Sequence, residues 1–174
     1  MLRYDVPTNT HELIYDFGPG AELWHVGHHD QDGRGRYRSA SVKGVGTFIV
    51  DMIDKTLLPA EPLPWSADIS PSGTWFNVMG TFYHVDDLKA GDTSQGVLGA
   101  AWGTWGHDGW AWDYNGDEVW LAQDNESDWI FAFNPRTGVR TNILHLSETG
   151  YSFNQHMGRM GTPDKPGWFL LSSY

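Results

Sequence analysis

The sequence predicts an all-β fold, a β-propeller of about four blades with four antiparallel strands each. Helical periodicity is nearly absent from the 174 residues. Short aromatic and β-branched runs alternate with breaks that are rich in Gly, Asn, Asp and Pro. Two kinds of hairpin also recur in a fixed order along the chain. Four short strands within about forty residues are typical of one propeller blade.

The stretch from Gly106 to Leu146 shows the repeating unit most clearly. Its first turn contains Asn115 and Gly116, a pair that favours a tight hairpin between two strands. Strands are predicted at 110–112, 119–122 and 129–133, and turns at 114–117 and 134–138, the second of which leads into a fourth strand. Together they indicate a complete blade.

Two markers identify the other units. The third strand of each unit ends in an acidic or amide residue before a hairpin, and the first hairpin precedes an aromatic strand. The end markers are Asp5, Asp51, Asp86 and Asn134, separated by 46, 35 and 48 residues, close to a blade period of roughly 40–50. The first hairpins are at 70–73, 114–117 and 162–167.

These markers divide the chain into one domain of five segments. The predicted segments are a part-blade at 1–20, blades at 21–63, 64–103 and 104–147, and a part-blade at 148–174. A β-sandwich with similar turns is the alternative. Because Met1 begins within a strand and Tyr174 follows one without a turn, we expect an open arc from a six- to eight-bladed propeller. A closed four-bladed ring is the other possibility.

Two local segments have specific expectations. Residues 86–91 are too short and too close to glycine to be expected as a helix. The segment from Asp30 to Tyr37 resembles the first half of a calcium loop, with acidic residues two positions apart and then Gly33. A hairpin turn shaped by Gly33 and Gly35 is the favoured interpretation, because Arg34 stands where another acid is usual.

Charge and composition exclude some partners. The net charge of −11 argues against nucleic acids and anionic membrane surfaces. The absence of cysteine excludes disulfides and thiolate metal ligands. No signal peptide or membrane span is visible, so localisation stays unknown; it would be periplasmic or secreted if a longer parent protein carries a signal peptide. An open arc would leave unpaired strand edges, which predicts an edge-to-edge dimer.

Candidate site residues occur where the predicted blades begin. In a propeller the first strand of each blade lines the central channel, so these starts would converge on one mouth. The equivalent positions are His29, Asp68, His107 and His156, in steps of 39, 39 and 49 residues. With Gln155, these histidines predict a site for a divalent metal that accepts nitrogen and oxygen ligands, such as Mn, Ca or Zn. A channel lined with polar groups that bond only water and backbone is the alternative.

Arginine and aromatic residues complete the predicted site. Arg36 and Arg159 are expected to bind a carboxylate or sulfate, because guanidinium groups pair well with such anions. Trp105 offers a flat apolar surface for a sugar ring. His29, His107 or Tyr37 would move a proton as catalytic residues. The alternatives are arginines paired with surface acids and tryptophans packed between blades.

The blade-start His and Asp residues and the hairpins at 70–73 and 134–138 resemble the repeats of TolB-like propellers. Gln155-His156 with the following Lys165 to Trp168 is similar to propeller-type polysaccharide lyases, such as oligogalacturonate and ulvan lyases. This resemblance implies a metal held by His and Gln, and β-elimination of uronic acids. The leading hypothesis is therefore a propeller that binds, and β-eliminates, an acidic polysaccharide. The alternatives are a non-catalytic module that binds a protein or peptide, and an inactive truncated fragment.

Overall fold

The computed structural model describes residues 1–25, 32–64, 67–101, 103–148, 157–158 and 170–171. The part of the chain that is described is predominantly β, with 49% strand and 9% helix, which confirms the all-β prediction. The strands are β1 (Leu2–Asp5), β2 (Thr10–Leu13), β3 (Leu23–His25), β4 (Tyr37–Val42), β5 (Gly46–Asp51), β6 (Thr56–Leu63), β7 (Asp68–Ile69), β8 (Trp75–Val78), β9 (Thr81–His84), β10 (Val97–Leu98), β11 (Trp105–Trp112), β12 (Glu118–Asp124), β13 (Trp129–Asn134), β14 (Val139–His145), β15 (Met157–Gly158) and β16 (Leu170–Leu171). The helix α1 spans Val85–Ala90, and short 3₁₀ turns occupy Thr93–Gln95 and Leu146–Glu148.

Three four-stranded sheets follow one another along the chain. Their strand orders are β3-β4-β5-β6, β7-β8-β9-β10 and β11-β12-β13-β14, so neighbours in each sheet are also neighbours in sequence. The remaining strands form the two-stranded sheets β1-β2 and β15-β16. The three larger sheets span 23–63, 68–98 and 105–145, and each lies inside one predicted blade segment. Their arrangement about a common axis stays a prediction.

The chain divides into two compact units. The first contains residues 1–78 and 83–95, and the second contains 79–82 and 96–174. In the first unit, one face of the β3–β6 sheet buries Ala40, Val50 and Met52 against Ile14. Phe17 packs on Phe48, with ring centroids 5.9 Å apart. The segment that follows β2 therefore covers this face of the sheet.

The second unit has an aromatic core on one face of the β11–β14 sheet. Trp110, Trp120, Phe131 and Phe133 are almost fully buried, and Phe82 of β9 packs among them. The centroid of Phe82 lies 5.0 to 5.7 Å from those of Trp110, Trp120 and Phe133. Gly99 leaves room for this cluster, because a Cβ there would lie 2.7 Å from the Phe82 and Phe133 rings.

Four hairpins share one turn geometry. The strand ends in Asp or Asn, whose side-chain oxygen accepts backbone N–H groups two or three residues later. The residue four positions on has a positive φ. The pairs are Asp5 and Asn9, Asp51 and Lys55, Asp124 and Asp128, and Asn134 and Gly138. The predicted markers Asp5, Asp51 and Asn134 are thus confirmed as hairpin residues.

The marker at Asp86 is wrong, and so is the expectation that no helix forms there. β9 ends at His84, and α1 follows instead of a hairpin. His84 caps the helix by accepting the Asp86 N–H at Nδ1, 3.2 Å away. Gly91 ends the helix at φ +73° and donates its N–H to carbonyls of the last turn. Because both ends are capped and Leu88 is buried, six residues suffice for a helix.

The first hairpins of the three larger sheets also share a geometry. Gly73 and Gly116 have φ of +76° and +80°, and each donates its N–H three residues back, to Ser70 and Asp113. This confirms the predicted turns at 70–73 and 114–117. The predicted hairpin at 162–167 lies outside the described residues. The predicted turn at 30–37 has the same form where it is described, since Gly35 has φ +69° and bonds to the Asp32 carbonyl.

Candidate functional site

Only part of the predicted site lies in the described chain. His29, Gln155, His156 and Arg159 lie outside the described residues. The backbone of His107 lies within β11, in the second unit, as does Trp105. Tyr37 begins β4 and Arg36 directly precedes it, in the first unit. The convergence of the histidines therefore stays a prediction. Among the described residues, no group of three or more His, Asp or Glu is placed to hold a metal ion.

Arg36 is held by two carboxylates of its own unit. Its Nε and Nη2 donate to Asp51 Oδ2 at 2.9 and 2.7 Å, and Nη2 also donates to Asp54 Oδ2 at 2.7 Å. The hydrogen bonds to Asp51 raise the pKa of the guanidinium. These contacts agree with the alternative given above for the arginines, in which they pair with acidic side chains of the protein. A ligand carboxylate would have to compete with both aspartates for Arg36.

Asp51 is the buried member of this group, with a side chain that is 1% exposed. Burial acts to raise its pKa, but hydrogen bonds from Arg36 and from the Asp54 and Ile53 amides outweigh burial and lower the pKa below its usual value. The carboxylate therefore joins the β5–β6 turn to the start of β4. Its role in the described contacts is structural.

Tyr37 is packed into the first unit and is only 5% exposed. Its ring meets Phe76 edge-on, with centroids 5.6 Å apart. A Cβ on Gly73 would lie 2.8 Å from the Tyr37 ring, so this turn glycine allows the close approach. The Lys89 ammonium lies 5.9 Å from the ring centroid. These contacts make the ring a core side chain.

Asp32 closes the neighbouring turn. It is 2% exposed, and its Oδ1 accepts the Tyr37 N–H at 2.7 Å while Oδ2 accepts the Arg34 N–H at 3.2 Å. A Cβ on Gly33 would lie 2.8 Å from the Pro71 carbonyl oxygen, so glycine permits this close approach. The carboxylate thus stabilises a hairpin turn, the interpretation favoured over a calcium loop.

Trp105 belongs to the aromatic cluster of the second unit. Its indole lies edge-on to Trp120, with centroids 4.9 Å apart. Trp120 Nε1 donates to Asp108 Oδ2 at 2.7 Å. One side of the Trp105 ring system is therefore used in packing, as the alternative for the tryptophans predicts.

Most basic side chains in the described chain pair with acids. Arg136 donates to Asp117 through Nε at 2.9 Å, which lowers the pKa of Asp117. Arg140 donates to Asp124 and lies 3.8 Å from the Phe131 ring centroid. The other pairs are Arg3–Glu12, Lys43–Glu22 and Lys55–Glu12. This pairing leaves little unopposed positive charge for a polyanion.

The β11–β14 sheet carries an open cleft on the face opposite its aromatic core. The cleft has a volume of about 640 Å³, within the range of ligand sites. Its apolar lining includes Ala111, Val119, Leu121, Ala132, Val139 and Ile143. Its polar end includes Asp113, Asn115, Asp117, Arg136 and Thr137, with Trp112 and Tyr114 beside them.

The outer strand β14 exposes the apolar side chains at one edge of this face. Val139 is 56% exposed and Ile143 is 42% exposed, whereas Val119 and Leu121 are buried in the floor. Tyr114 at the polar end is 83% exposed. Apolar side chains on a sheet face are stabilised when another surface removes them from water. The exposed part of this face therefore presents mainly apolar side chains to solvent.

The sequence contains a further signal for this face, separate from the blade-start residues. Val119 to Ala122 and Trp129 to Phe133 are continuous apolar runs, without the alternation expected of a sheet that faces water on one side. Such runs predict that both faces are covered. The aromatic core covers one face, and on the other face Val119, Leu121 and Ile130 form a second core cluster with Leu146, beside which the cleft lies.

No protein-family model matches the chain, and neither a curated protein nor a solved structure matches it significantly. Within the part of the chain that is described, no helix is long and apolar enough to cross a membrane.

Proposed function

We propose that this chain is a non-catalytic module of the β-propeller type that binds a protein or peptide partner. The observation that carries the proposal is the open apolar face of the β11–β14 sheet, with Val139 and Ile143 exposed above a floor of Val119 and Leu121. Three successive meander sheets support the propeller architecture. An arc of such sheets has faces that require another sheet or chain to cover them.

The chemistry of the face favours a polypeptide as ligand. Its floor offers aliphatic side chains, which match alternate side chains of an extended strand. The Asp117 carboxylate and the Arg136 guanidinium at its polar end pair with each other, so they favour no strongly charged ligand. The paired cations elsewhere in the described chain weigh against an acidic polysaccharide as the principal ligand.

A panel of synthetic twelve-residue peptides with alternating apolar and polar residues tests the proposal, with binding followed by calorimetry. We expect micromolar binding by some members, and Ile143→Lys is expected to weaken it at least about 30-fold because it places a charge on the apolar face. Asn142→Lys is the matched control, since Asn142 pairs with Phe131 on the other face and is exposed. Absence of binding by every peptide, or equal loss in both variants, would overturn the proposal.

The second candidate is the binding and β-elimination of an acidic polysaccharide at a His-lined mouth. It is favoured by residue types on the first strands of two of the larger sheets, since β7 begins at Asp68 and β11 contains His107. Stoichiometric Mn, Ca or Zn that is lost in His107→Ala, together with unsaturated-uronate absorbance, would support it. Metal-free protein without lyase activity would exclude it.

A further inference from the structure

The turn between β11 and β12 contains a pair of residues that can react with each other. Of the seven asparagines in the chain, only Asn115 is followed by glycine. In such a pair the backbone nitrogen of the glycine can attack the side-chain carbonyl carbon of the asparagine. Glycine leaves this approach unhindered because it has no side chain. The sequence therefore indicates that Asn115 is the asparagine most open to this attack.

The structure places this pair at the tip of a hairpin, in contact with solvent. Asn115 is exposed, and so are its neighbours Tyr114 and Gly116. Gly116 has φ +80°, and no atom lies within 4 Å of the position that a Cβ would occupy there. Water therefore reaches both the side-chain amide of Asn115 and the peptide bond that joins it to Gly116.

Hydrogen bonds within the turn oppose the attack. The Gly116 nitrogen donates its N–H to the Asp113 carbonyl at 3.0 Å. The Asp113 side chain holds the same turn, since its Oδ1 accepts the N–H groups of Asn115 and Asp117 at 2.9 Å each. The Gly116 nitrogen must leave the Asp113 carbonyl before it can attack Asn115. The reaction therefore proceeds only from the fraction of molecules in which the turn is open.

We infer that Asn115 is a site of spontaneous deamidation, and that the Asp113 side chain limits the rate by keeping the turn closed. In the open turn the Gly116 nitrogen forms a bond to Asn115 Cγ and loses its proton to water, while the side-chain amide leaves as ammonia. Water then opens the five-membered imide at one of its two carbonyl carbons. The product is aspartate or isoaspartate, and water is the only other reactant.

Either product changes the polar end of the cleft, which Asp113, Asn115 and Asp117 line. A third carboxylate joins those of Asp113 and Asp117, and Arg136 already pairs with Asp117. Isoaspartate also adds one carbon atom to the backbone within the turn, which changes the spacing of the two N–H groups that bond to Asp113. The inference does not depend on which ligand the cleft binds.

Incubation of the full chain at mildly alkaline pH tests the inference, with peptide mass spectrometry and fragment spectra as the readout. We expect the mass at Asn115 to rise by the difference between an amide and a carboxylic acid. Asn125 is the internal control, because it is exposed in the next hairpin turn but is followed by Glu126. Conversion at Asn115 should be at least about tenfold faster than at Asn125, since only Asn115 precedes an unhindered glycine nitrogen.

Asp113→Ala tests the role of the turn. It removes the acceptor of two N–H groups, so the turn opens more often, and Asn115 in the folded variant should convert at least about fivefold faster. Asp113→Asn is the matched control, since its side-chain carbonyl can still accept these groups, and should stay within about twofold of the wild type. In urea, where the turn is lost, the wild type and both variants should convert at equal rates, faster than the folded wild type.

Two results would overturn the deamidation site: an Asn115 that stays intact in the folded wild type, or one that converts no faster than Asn125. The role of Asp113 would be overturned if folded Asp113→Ala converts at the wild-type rate, or if its advantage persists in urea. If Asp113→Ala does not fold, the wild type in buffer and in urea decides the question. Equal rates in the two conditions would show that the turn does not limit the reaction.

Discussion

At the scale of single residues, the ion pair between Arg36 and Asp51 is the interaction most open to measurement. Asp51 is buried, and its pKa is lowered in the folded state. The stability that it contributes is therefore fully present above the unfolded pKa of about 3.9, and it is lost as the pH falls through the folded value. Asp51→Asn should lower the free energy of unfolding by about 2 kcal/mol at pH 7, because it leaves Arg36 partly unpaired.

The difference between Asp51→Asn and the wild type should shrink below about pH 4 and vanish once the wild-type carboxylate is protonated. Urea denaturation followed by tryptophan fluorescence from about pH 3 to pH 7 measures it. Asp54→Asn is the matched control, since it removes the exposed partner of the same guanidinium and should cost less than about 0.5 kcal/mol. A pH-independent loss in Asp51→Asn would contradict the electrostatic explanation.

At the scale of elements, the turn between β8 and β9 depends on one glycine. Met79 and Gly80 have φ of +55° and +83°, as in the tight hairpins whose two central residues are left-handed. A Cβ on Gly80 would lie 2.1 Å from the Ala100 carbonyl oxygen. Gly80→Ala should therefore lower the free energy of unfolding by about 3 kcal/mol, because the backbone strain and this clash add together.

Gly103→Ala separates the two contributions. Gly103 has φ +84°, but no atom lies within 4 Å of its added Cβ. Gly103→Ala should therefore lower the free energy of unfolding only by the backbone strain, about 1 kcal/mol. Chemical denaturation of both variants measures the difference. Equal losses of stability in the two variants would show that the backbone at Ala100 moves away from the added methyl group at little cost.

The elements also show what the sequence predicts and what it does not. Asn115-Gly116 and the Asp or Asn residues at strand ends specify turns through local hydrogen bonds, so the hairpins at 70–73, 114–117 and 134–138 were predictable. The helix α1 was not, because its six residues are stabilised by the His84 and Gly91 caps and by burial of Leu88. The intrinsic helix propensity of six residues contributes less to stability than such caps and tertiary contacts do.

The site residues show a similar limit. Tyr37 and Arg36 have the chemistry of a proton donor and an anion ligand, but side-chain type does not reveal what a residue contacts. Tyr37 packs on Phe76 and Gly73, and Arg36 meets Asp51, fifteen residues away in sequence. The open face was detectable in principle, since the unbroken apolar run from Val119 to Ala122 requires cover on both sides.

At the scale of the whole molecule, the net charge of −11 destabilises the compact state through repulsion between like charges. Salt screens this repulsion, because the Debye length falls from about 30 Å in 10 mM salt to about 10 Å in 100 mM. We therefore expect the free energy of unfolding to be higher in about 100 mM than in about 10 mM NaCl. Urea denaturation at both salt concentrations measures it. A lower stability at higher salt would indicate that attraction between opposite charges outweighs the net repulsion.

The meander order of the three larger sheets has a consequence for how the chain folds. Every strand in them bonds to a strand that is adjacent in sequence, and each sheet is complete within about forty residues. The loops that must close are therefore short, and the entropy lost in bringing partners together is small. During synthesis, each sheet has all of its strands as soon as its own segment has left the ribosome, before the next sheet exists.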